Sequence, residues 1–334
     1  MKLKALIFTI ITAGLCACAV QKQTNFFEIS VPEEGGISFV KYTNENDDVL
    51  GPVVLRQTDQ IRWYAPSLIS VSPSGEQLAF LARKNNTDNI FLKNTKGGGS
   101  TIQRTFRNNV SDMSYSPSGE RIVFTDEMDG NTNVYMINAT QGSAIQQITS
   151  TPSNELGPAF SPNGNEIFFT KAEVSYSNNI PITRYYVWSY STESSLLTQY
   201  TEGFTPSVAP DGENLIVTRN SKDIQARGEI WMINLKTGQS TLILADKDKG
   251  FSSPQVSPDG ETIVLVGESP KTINRRKNLD IYTIKTDGTK FTQITFHPGD
   301  DVSPVWSPDG NFLYFISQRG NEKGEWNVWK MNVR

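Results

Sequence analysis

Five residues near the end of the chain, Trp306-Ser307-Pro308-Asp309-Gly310, form a mark that the sequence repeats six times. The last four residues of each copy read Ser/Ala-Pro-Ser/Asn/Asp-Gly, and an aromatic residue or Val precedes them. Pro presets φ for a tight turn, the polar residue can hydrogen-bond the local backbone, and Gly tolerates positive φ. The six prolines are Pro73, Pro117, Pro162, Pro210, Pro258 and Pro308. The mark therefore predicts a hairpin turn that recurs every 44 to 50 residues.

The residues around each mark repeat a pattern of four short strands. One apolar run precedes the mark and another follows it, as in Val305-Trp306 and Phe312–Ile316. A third strand carries an aromatic residue after Ile or Val, and a fourth lies beyond a turn such as Thr286-Asp287-Gly288. The six aromatic residues are Phe91, Tyr135, Trp188, Trp231, Tyr282 and Trp329. We expect their rings to pack between neighbouring sheets.

This repeat predicts an all-β chain. Seventeen Phe, eleven Tyr and many β-branched residues favour strands, and no internal stretch keeps a helical apolar period over three turns. A four-stranded sheet cannot bury both of its faces alone, whereas radially packed sheets cover each other and protect their edges. The expected fold is a six-bladed β-propeller of four-stranded antiparallel blades, with seven blades as the alternative.

An N-terminal strand is expected to close the ring. The last copy stops after its third strand, and Pro52–Thr58 is our candidate for the missing fourth strand. Phe27–Val31 and Ile37–Tyr42 resemble a degenerate repeat, which leaves open a seventh blade, an extra hairpin or a lead-in segment. The predicted organisation is a signal peptide over residues 1–18, a tether or degenerate repeat over 19–50, and a propeller over 51–334.

The N-terminus has the features of a targeting segment. Lys2 and Lys4 precede an apolar run over Leu6–Leu15 that is too short to span a bilayer comfortably. Leu15-Cys16-Ala17-Cys18 resembles the bacterial lipobox, which makes Cys18 the expected site of lipid attachment. The alternative is an ordinary secretory signal that leaves Cys18 as a free thiol. We expect a lipid-anchored protein of the bacterial cell envelope, at the outer membrane and facing the periplasm.

Composition excludes several classes of function. The chain has one histidine, His297, so a histidine-rich metal site is excluded, and a Ser-His-Asp triad would have to use that residue. No G-x-S-x-G, phosphate-loop or dinucleotide-binding motif is present. The net charge of −4 is spread along the chain, which argues against nucleic acid as a partner. No cofactor and no metal are expected.

The mark and the third-strand Ile-Tyr or Val-Tyr pair resemble the TolB-type, WD-like β-propeller repeat. The fullest copy is Ser303-Pro304-Val305-Trp306-Ser307-Pro308-Asp309-Gly310, and the resemblance covers about residues 50–334. TolB itself carries an α/β domain ahead of its propeller, for which this chain leaves no room. Similar repeats precede a hydrolase domain in prolyl oligopeptidase relatives and form a metal-dependent oligogalacturonate lyase, whose histidine ligands have no counterpart here. The resemblance implies a propeller that binds a partner across its ring.

The loops between strands two and three share one face with the segments that enter strand one. Three of these loops are predicted to be enlarged: Lys171–Tyr185, Arg219–Gly228 and Glu268–Asn278. Arg and Tyr are frequent in binding hot spots, although solvated surface loops would show the same residues. The candidate partner-binding residues are Arg62, Trp63, Tyr64, Arg184, Tyr185, Arg227, Arg275, Arg276, His297, Asp300 and Asp301.

Two of these groups have alternative interpretations. His297 beside Asp300 and Asp301 could supply a catalytic base, but no nucleophile motif or second histidine accompanies it. Arg62-Trp63-Tyr64 could instead pack the closing blade.

The expected function is non-enzymatic binding of another envelope protein or peptide. The alternative is an envelope protein that binds or cleaves glycans, for which paired carboxylates roughly 5 or 9 Å apart in the channel would be evidence. A structural spacer in a larger complex cannot be separated from the first hypothesis by sequence.

Overall fold

The computed structural model describes residues 39–43, 47–51, 67–96, 100–128, 130–140, 144–222, 227–273, 276–320 and 325–333, with the backbone alone for 270–273 and 276–277. Several predictions concern residues outside this part: the lipid site at Cys18, the strand at Pro52–Thr58, Arg62-Trp63-Tyr64 and Arg275. No helix in the described ranges is long and apolar enough to cross a membrane.

The described strands form six antiparallel sheets of four strands each. The first strand in the chain is β1 (Phe39–Lys41), which belongs to blade 6. Blade 1 contains β2 (Ile69–Val71), β3 (Gln77–Lys84), β4 (Thr87–Asn94) and β5 (Ile102–Gln103). Blade 2 contains β6 (Val110–Tyr115), β7 (Arg121–Met128), β8 (Asn131–Asn138) and β9 (Gln146–Gln147). Blade 3 contains β10 (Glu155–Phe160), β11 (Glu166–Ser177), β12 (Ile180–Ser191) and β13 (Leu197–Glu202).

The second half of the ring follows the same order. Blade 4 contains β14 (Phe204–Val208), β15 (Asn214–Asn220), β16 (Gly228–Asn234) and β17 (Ser240–Leu244). Blade 5 contains β18 (Phe251–Val256), β19 (Thr262–Ile273), β20 (Arg276–Lys285) and β21 (Thr292–Gln293). Blade 6 contains β22 (Asp301–Trp306), β23 (Phe312–Ser317), β24 (Asn327–Asn332) and β1. The first strands of successive blades contact each other, and β22 contacts β2, so the ring is closed. The prediction of a six-bladed propeller is confirmed.

Each mark closes the hairpin between the first and second strands of its blade. In blade 6 the Gly310 N–H donates to the Ser307 carbonyl at 2.9 Å, and the Phe312 N–H donates to Ser307 Oγ at 2.9 Å. Gly310 has φ of 70°, a conformation that side chains other than glycine rarely adopt. The mark therefore shapes one rim of the ring, which we call the turn rim.

The third-strand aromatic rings pack between blades, as predicted. Trp329 is fully buried in a cluster that includes Val264 and Ile281 of blade 5. Tyr282 is buried with Ile216 and Ile230 of blade 4 in the same way. Because each large ring covers the face of the neighbouring sheet, the core is divided among the blade interfaces.

The closing strand is β1, and this corrects the proposed closure by Pro52–Thr58. β1 pairs antiparallel with β24, with Phe39 opposite Met331 and Lys41 opposite Trp329. The Phe39 ring packs against Phe315 at 6.1 Å, so the place beside β24 is already filled. Because β24 runs from the opposite rim toward the turn rim, its antiparallel partner β1 enters the ring at the turn rim.

Candidate functional site

The rim opposite the turn rim, which we call the loop face, carries a tall hairpin. β11 and β12 stay paired from Glu166 to Ser177 and meet at Asn178-Asn179, with φ of 51° and 64°. Two central residues with positive φ define a type I′ turn, which Asn tolerates well. The prediction that Lys171–Tyr185 is a loop is therefore wrong: this segment is a two-stranded ladder.

A second enlarged segment is also a hairpin extension. The backbones of β19 and β20 pair again at Ile273 and Arg276 after an irregularity between Glu268 and Thr272. In the third segment, pairing of β15 with β16 extends to Asn220 and Gly228. Insertions on the loop face thus lengthen strands two and three, because a hairpin satisfies its backbone hydrogen bonds without a covering layer.

A cleft of about 630 Å³ lies between the β11–β12 hairpin and blade 4. Its lining residues are Thr183, Arg184, Tyr185, Glu202, Gly203, Phe204, Arg219, Asn220, Lys222, Glu229 and Trp231. This is a concave surface with apolar rings and several charged groups, which is the usual composition of a binding site.

Aromatic rings and the half-buried cation of Arg219 form the inner part of the cleft. Tyr185 packs edge-on against Phe204, with ring centroids 6.3 Å apart. The Arg219 guanidinium lies 4.9 Å from the Trp231 ring centroid and donates to the Glu202 carbonyl and to Thr201 Oγ1. Burial lowers the pKa of Arg219, an effect that nearby Glu202 and Glu229 oppose. The Trp231 indole N–H donates to Glu229 Oε2 at 2.9 Å.

A cation over the third-strand ring recurs around the loop face. Arg107 lies 5.2 Å from the Tyr135 ring, Lys171 lies 4.5 Å from Trp188, and Lys249 lies 5.5 Å from Tyr282. Such contacts contribute about 0.5–1 kcal/mol at exposed sites. Several cations of the loop face therefore pack on the aromatic rings between blades. Basic residues on this face can thus be structural, and their presence alone does not define a ligand site.

Two predicted residues lie together in the cleft. Arg184 is exposed at its rim and makes no ion pair with a described residue, and Tyr185 is buried in its wall. Arg227 is half-buried and donates a hydrogen bond to the Lys247 carbonyl. Arg227 directly precedes β16 of blade 4, and Lys247 lies in the connection from blade 4 to blade 5, so this bond joins the two segments. The Arg276 side chain lies outside the described part of the chain, with Arg62, Trp63, Tyr64 and Arg275.

His297, Asp300 and Asp301 hold the connection between blades 5 and 6. His297 Nδ1 accepts from the Gly299 N–H at 3.0 Å, and Asp300 accepts from the Leu279 N–H at 2.9 Å. The prediction that Asp301 binds a partner is wrong, because its side chain is fully buried. It forms an ion pair of 2.6 Å with Arg319, which is also buried. Burial raises the pKa of Asp301, and the positive charge of Arg319 opposes this.

The central channel has a neutral wall and encloses about 200 Å³. One ring of its lining consists of the residue three positions before each mark proline. These residues are Ser70, Ser114, Ala159, Ser207, Gln255 and Val305. Ser70 Oγ accepts from the Tyr115 N–H, and Gln255 Oε1 accepts from the Trp306 N–H, so this ring joins neighbouring blades.

Catalysis by this ring would require acidic residues in the channel or a group of metal ligands. None of the lining residues that the structure describes is Asp or Glu, so the channel wall supplies no carboxylate pair. Within the described residues no group of His, Cys, Asp or Glu could hold a metal ion.

Sequence reasoning missed the apolar side chains of the hairpin, Val174, Tyr176 and Ile180, which are exposed. The alternation of polar Glu173, Ser175 and Ser177 with apolar residues indicates a strand, and Asn178-Asn179 indicates its turn.

The ring and its lateral cleft define a β-propeller with a concave surface on its loop face. The chain belongs to the TolB β-propeller domain family, whose model matches residues 56–226 and 193–334.

The chain is similar to proteins of several kinds. The uncharacterized peptidase YuxL of Bacillus subtilis is 27% identical over 197 residues, which cover 47% of this chain and 28% of that protein. The chain thus spans less than a third of that relative. TolB from Acinetobacter baumannii superposes with a TM-score of 0.61 at 16% identity, over 78% of this chain and 64% of that one. Oligogalacturonate lyase from Vibrio parahaemolyticus superposes with a TM-score of 0.57 at 11% identity, over 90% and 95%. The two structural similarities show the fold alone.

Proposed function

We propose that this protein is a non-enzymatic binding module of the bacterial cell envelope, anchored by lipid at Cys18 and facing the periplasm from the outer membrane. Its loop face binds another envelope protein or a peptide. The observation that carries this proposal is the cleft beside the β11–β12 hairpin, where exposed cations and apolar side chains lie together on a concave surface.

Two further observations favour peptide binding over glycan binding or cleavage. The described channel wall is neutral, so it offers no acid and base for glycoside hydrolysis. Tyr185, which would stack on a sugar, is buried against Phe204 and does not present its ring face. The similarities to a peptidase and to a lyase define the activities that are to be tested against a binding role.

Affinity capture of the tagged protein from solubilised envelope membranes tests the proposal. We expect one envelope protein to be enriched over an untagged strain, and the Cys18→Ala variant to leave the membrane fraction. Absence of any enriched protein would contradict the binding role. Release of peptide or oligogalacturonate products by the purified chain would establish an enzyme instead.

A further inference from the structure

The outer edge of blade 4 is an unprotected strand. β17 pairs with β16 on one side and with no described strand on the other. It has five residues, whereas the outermost strands of blades 1, 2 and 5 have two each, and β13 of blade 3 ends at the charged Glu202. The sequence of β17, Ser-Thr-Leu-Ile-Leu, contains no charge and no proline. Short strands, charges and proline usually protect a sheet edge, and β17 has none of these.

One position of this edge differs from its equivalent in the other five blades. The third-strand aromatic residue of each blade is directly opposite one residue of the outermost strand, and in blade 4 Trp231 is opposite Leu242. The equivalent residues of the other blades are polar or charged: Gln103, Gln147, Gln199, Gln293 and Lys41. The Gln293 amide donates to Asp280 Oδ2 and to the Thr295 carbonyl, both at 2.9 Å. Leucine cannot make such bonds, so Leu242 does not serve its blade in this way.

Leu242 also points away from the packed core. Ile243 and Leu244, which follow it, pack against the core between blades 4 and 5. Directly opposite residues point to the same side of a sheet, and Trp231 faces blade 3, so Leu242 lies on that side. Its side chain is 46% exposed there. Its position in the middle of an unprotected edge, and not its exposure alone, indicates an interaction surface.

This edge adjoins the cleft beside blade 4. The Arg219 guanidinium lies over the Trp231 ring in the cleft and donates to Ser240 Oγ of β17 at 3.2 Å. Ser240 and Leu242 share one side of the sheet, since residues two positions apart do so. Arg219 is directly opposite Glu229, so the charges beside the edge balance. The edge and its surroundings therefore suit an uncharged ligand.

We propose that β17 accepts an extended, uncharged segment of a partner protein as a fifth strand of blade 4, with an apolar side chain packed on Leu242. This proposal rests on the proposed function and specifies how the partner is held. An added strand gains main-chain hydrogen bonds from a free edge and specificity from its alternate side chains. The pairing of β17 with β16 is regular from Ser240 to Leu242, which gives the segment a regular ladder to join.

Fluorescence anisotropy with three labelled, capped peptides tests the ligand chemistry: Thr-Val-Ile-Val-Thr, Thr-Pro-Ile-Pro-Thr and Thr-Ser-Ser-Ser-Thr. The second cannot join a ladder in the same way because proline lacks the N–H, and the third has no large apolar residue. We expect the first to bind about tenfold more tightly than either of the others. Equal affinities for the three peptides, or no binding of the first, would overturn the proposal.

Leu242→Gln places in blade 4 the residue that four other blades carry at this position, so the variant should fold normally. It should weaken binding of the first peptide by about tenfold, the effect of exposing roughly half of a buried leucine side chain. Leu197→Gln makes the same substitution on β13, and Leu196→Ser removes an exposed leucine just before that strand. Both controls should bind like the unmodified protein, and losses equal to that of Leu242→Gln would contradict the proposal.

Membrane capture and sedimentation separate this inference from its alternatives. A partner that Leu242→Gln loses and Leu197→Gln retains supports the edge as its binding site. A partner that Leu242→Gln captures as well as the unmodified protein does would refute the edge and leave the binding function intact. Sedimentation velocity of the purified chain should show a monomer. A dimer that Leu242→Gln dissociates would make a second copy the occupant of the edge and overturn the proposal.

Discussion

Glu155 and Asp301 each begin the first strand of a blade, and both side chains are fully buried. Asp301 is paired with Arg319, whereas Glu155 accepts hydrogen bonds from the hydroxyls of Thr149 and Thr151. Burial raises the pKa of Glu155, and these hydroxyls oppose the increase. Lys171, which is opposite Glu155 in the ladder, also opposes the increase but contributes less than burial does, so this carboxylate makes the fold sensitive to pH.

Glu155 should make the protein more stable as the pH falls from 7 toward 4.5, the ordinary value for this side chain. Its raised folded-state pKa means that the folded chain binds this proton more tightly than the unfolded chain does, so acidification favours folding. Each unit of increase corresponds to about 1.4 kcal/mol. Urea unfolding across this range should show that the free energy of unfolding of the unmodified protein rises relative to that of Glu155→Gln on acidification. Glu120→Gln, at an exposed position, should show no such trend, and a flat difference for Glu155→Gln would contradict the argument.

Residue-level chemistry was the hardest to predict from sequence. His297, Asp300 and Asp301 form an acidic cluster with a histidine in the sequence, which resembles a site. The buried partner of Asp301 is Arg319, which lies 18 residues later in the sequence. The β22–β23 hairpin of blade 6 brings the two side chains together. Only that pairing reveals that the carboxylate stabilises the blade.

At the scale of elements, the sequence predicted strands better than their lengths. The mark locates each first hairpin because its Pro and Gly have fixed backbone roles, as φ of 70° at Gly310 shows. Strand extensions on the loop face carry charged residues such as Lys171 and Glu173, which are typical of loops. Their pairing depends on the turn at Asn178-Asn179 and not on burial.

Shortening the β11–β12 hairpin should change stability little. Replacement of residues 174–183 by Asn-Gly would join Glu173 to Arg184, which already face each other in the ladder, through a type I′ turn. The removed apolar residues are exposed except for Ile182, which is half-buried, so the free energy of unfolding should change by only about 1 kcal/mol. Thermal unfolding of the shortened chain beside Leu196→Ser provides the measurement. A loss of several kcal/mol would show that the tip supports the ring.

At the scale of the whole molecule, six copies of one pattern predict a ring, and the closing strand was expected at the wrong place. Pro52–Thr58 resembles a fourth strand in sequence, whereas β1 has only three residues. What fixes β1 is the contact of Phe39 with Phe315 and the position of the Arg319 guanidinium 3.9 Å from the Phe39 ring centroid. These contacts join residues about 280 positions apart, which no local pattern encodes.

Phe39→Ala should therefore weaken the entire ring. The ring of Phe39 is buried, and loss of such a side chain costs roughly 3–5 kcal/mol. Val40→Ala, at a half-buried position of the same strand, should cost much less. Urea unfolding followed by tryptophan fluorescence would compare them. Similar losses for the two variants would mean that β1 closes the ring through its backbone alone.

The entry of β1 at the turn rim has a consequence for the lipid anchor that we propose at Cys18. Twenty residues separate Cys18 from Phe39, enough for a leash of roughly 70 Å when fully extended. With lipid on Cys18, the turn rim is the side tied toward the bilayer, and the cleft opens on the far side. An anchor at Cys18 would thus leave the loop face free for proteins that approach from the aqueous compartment.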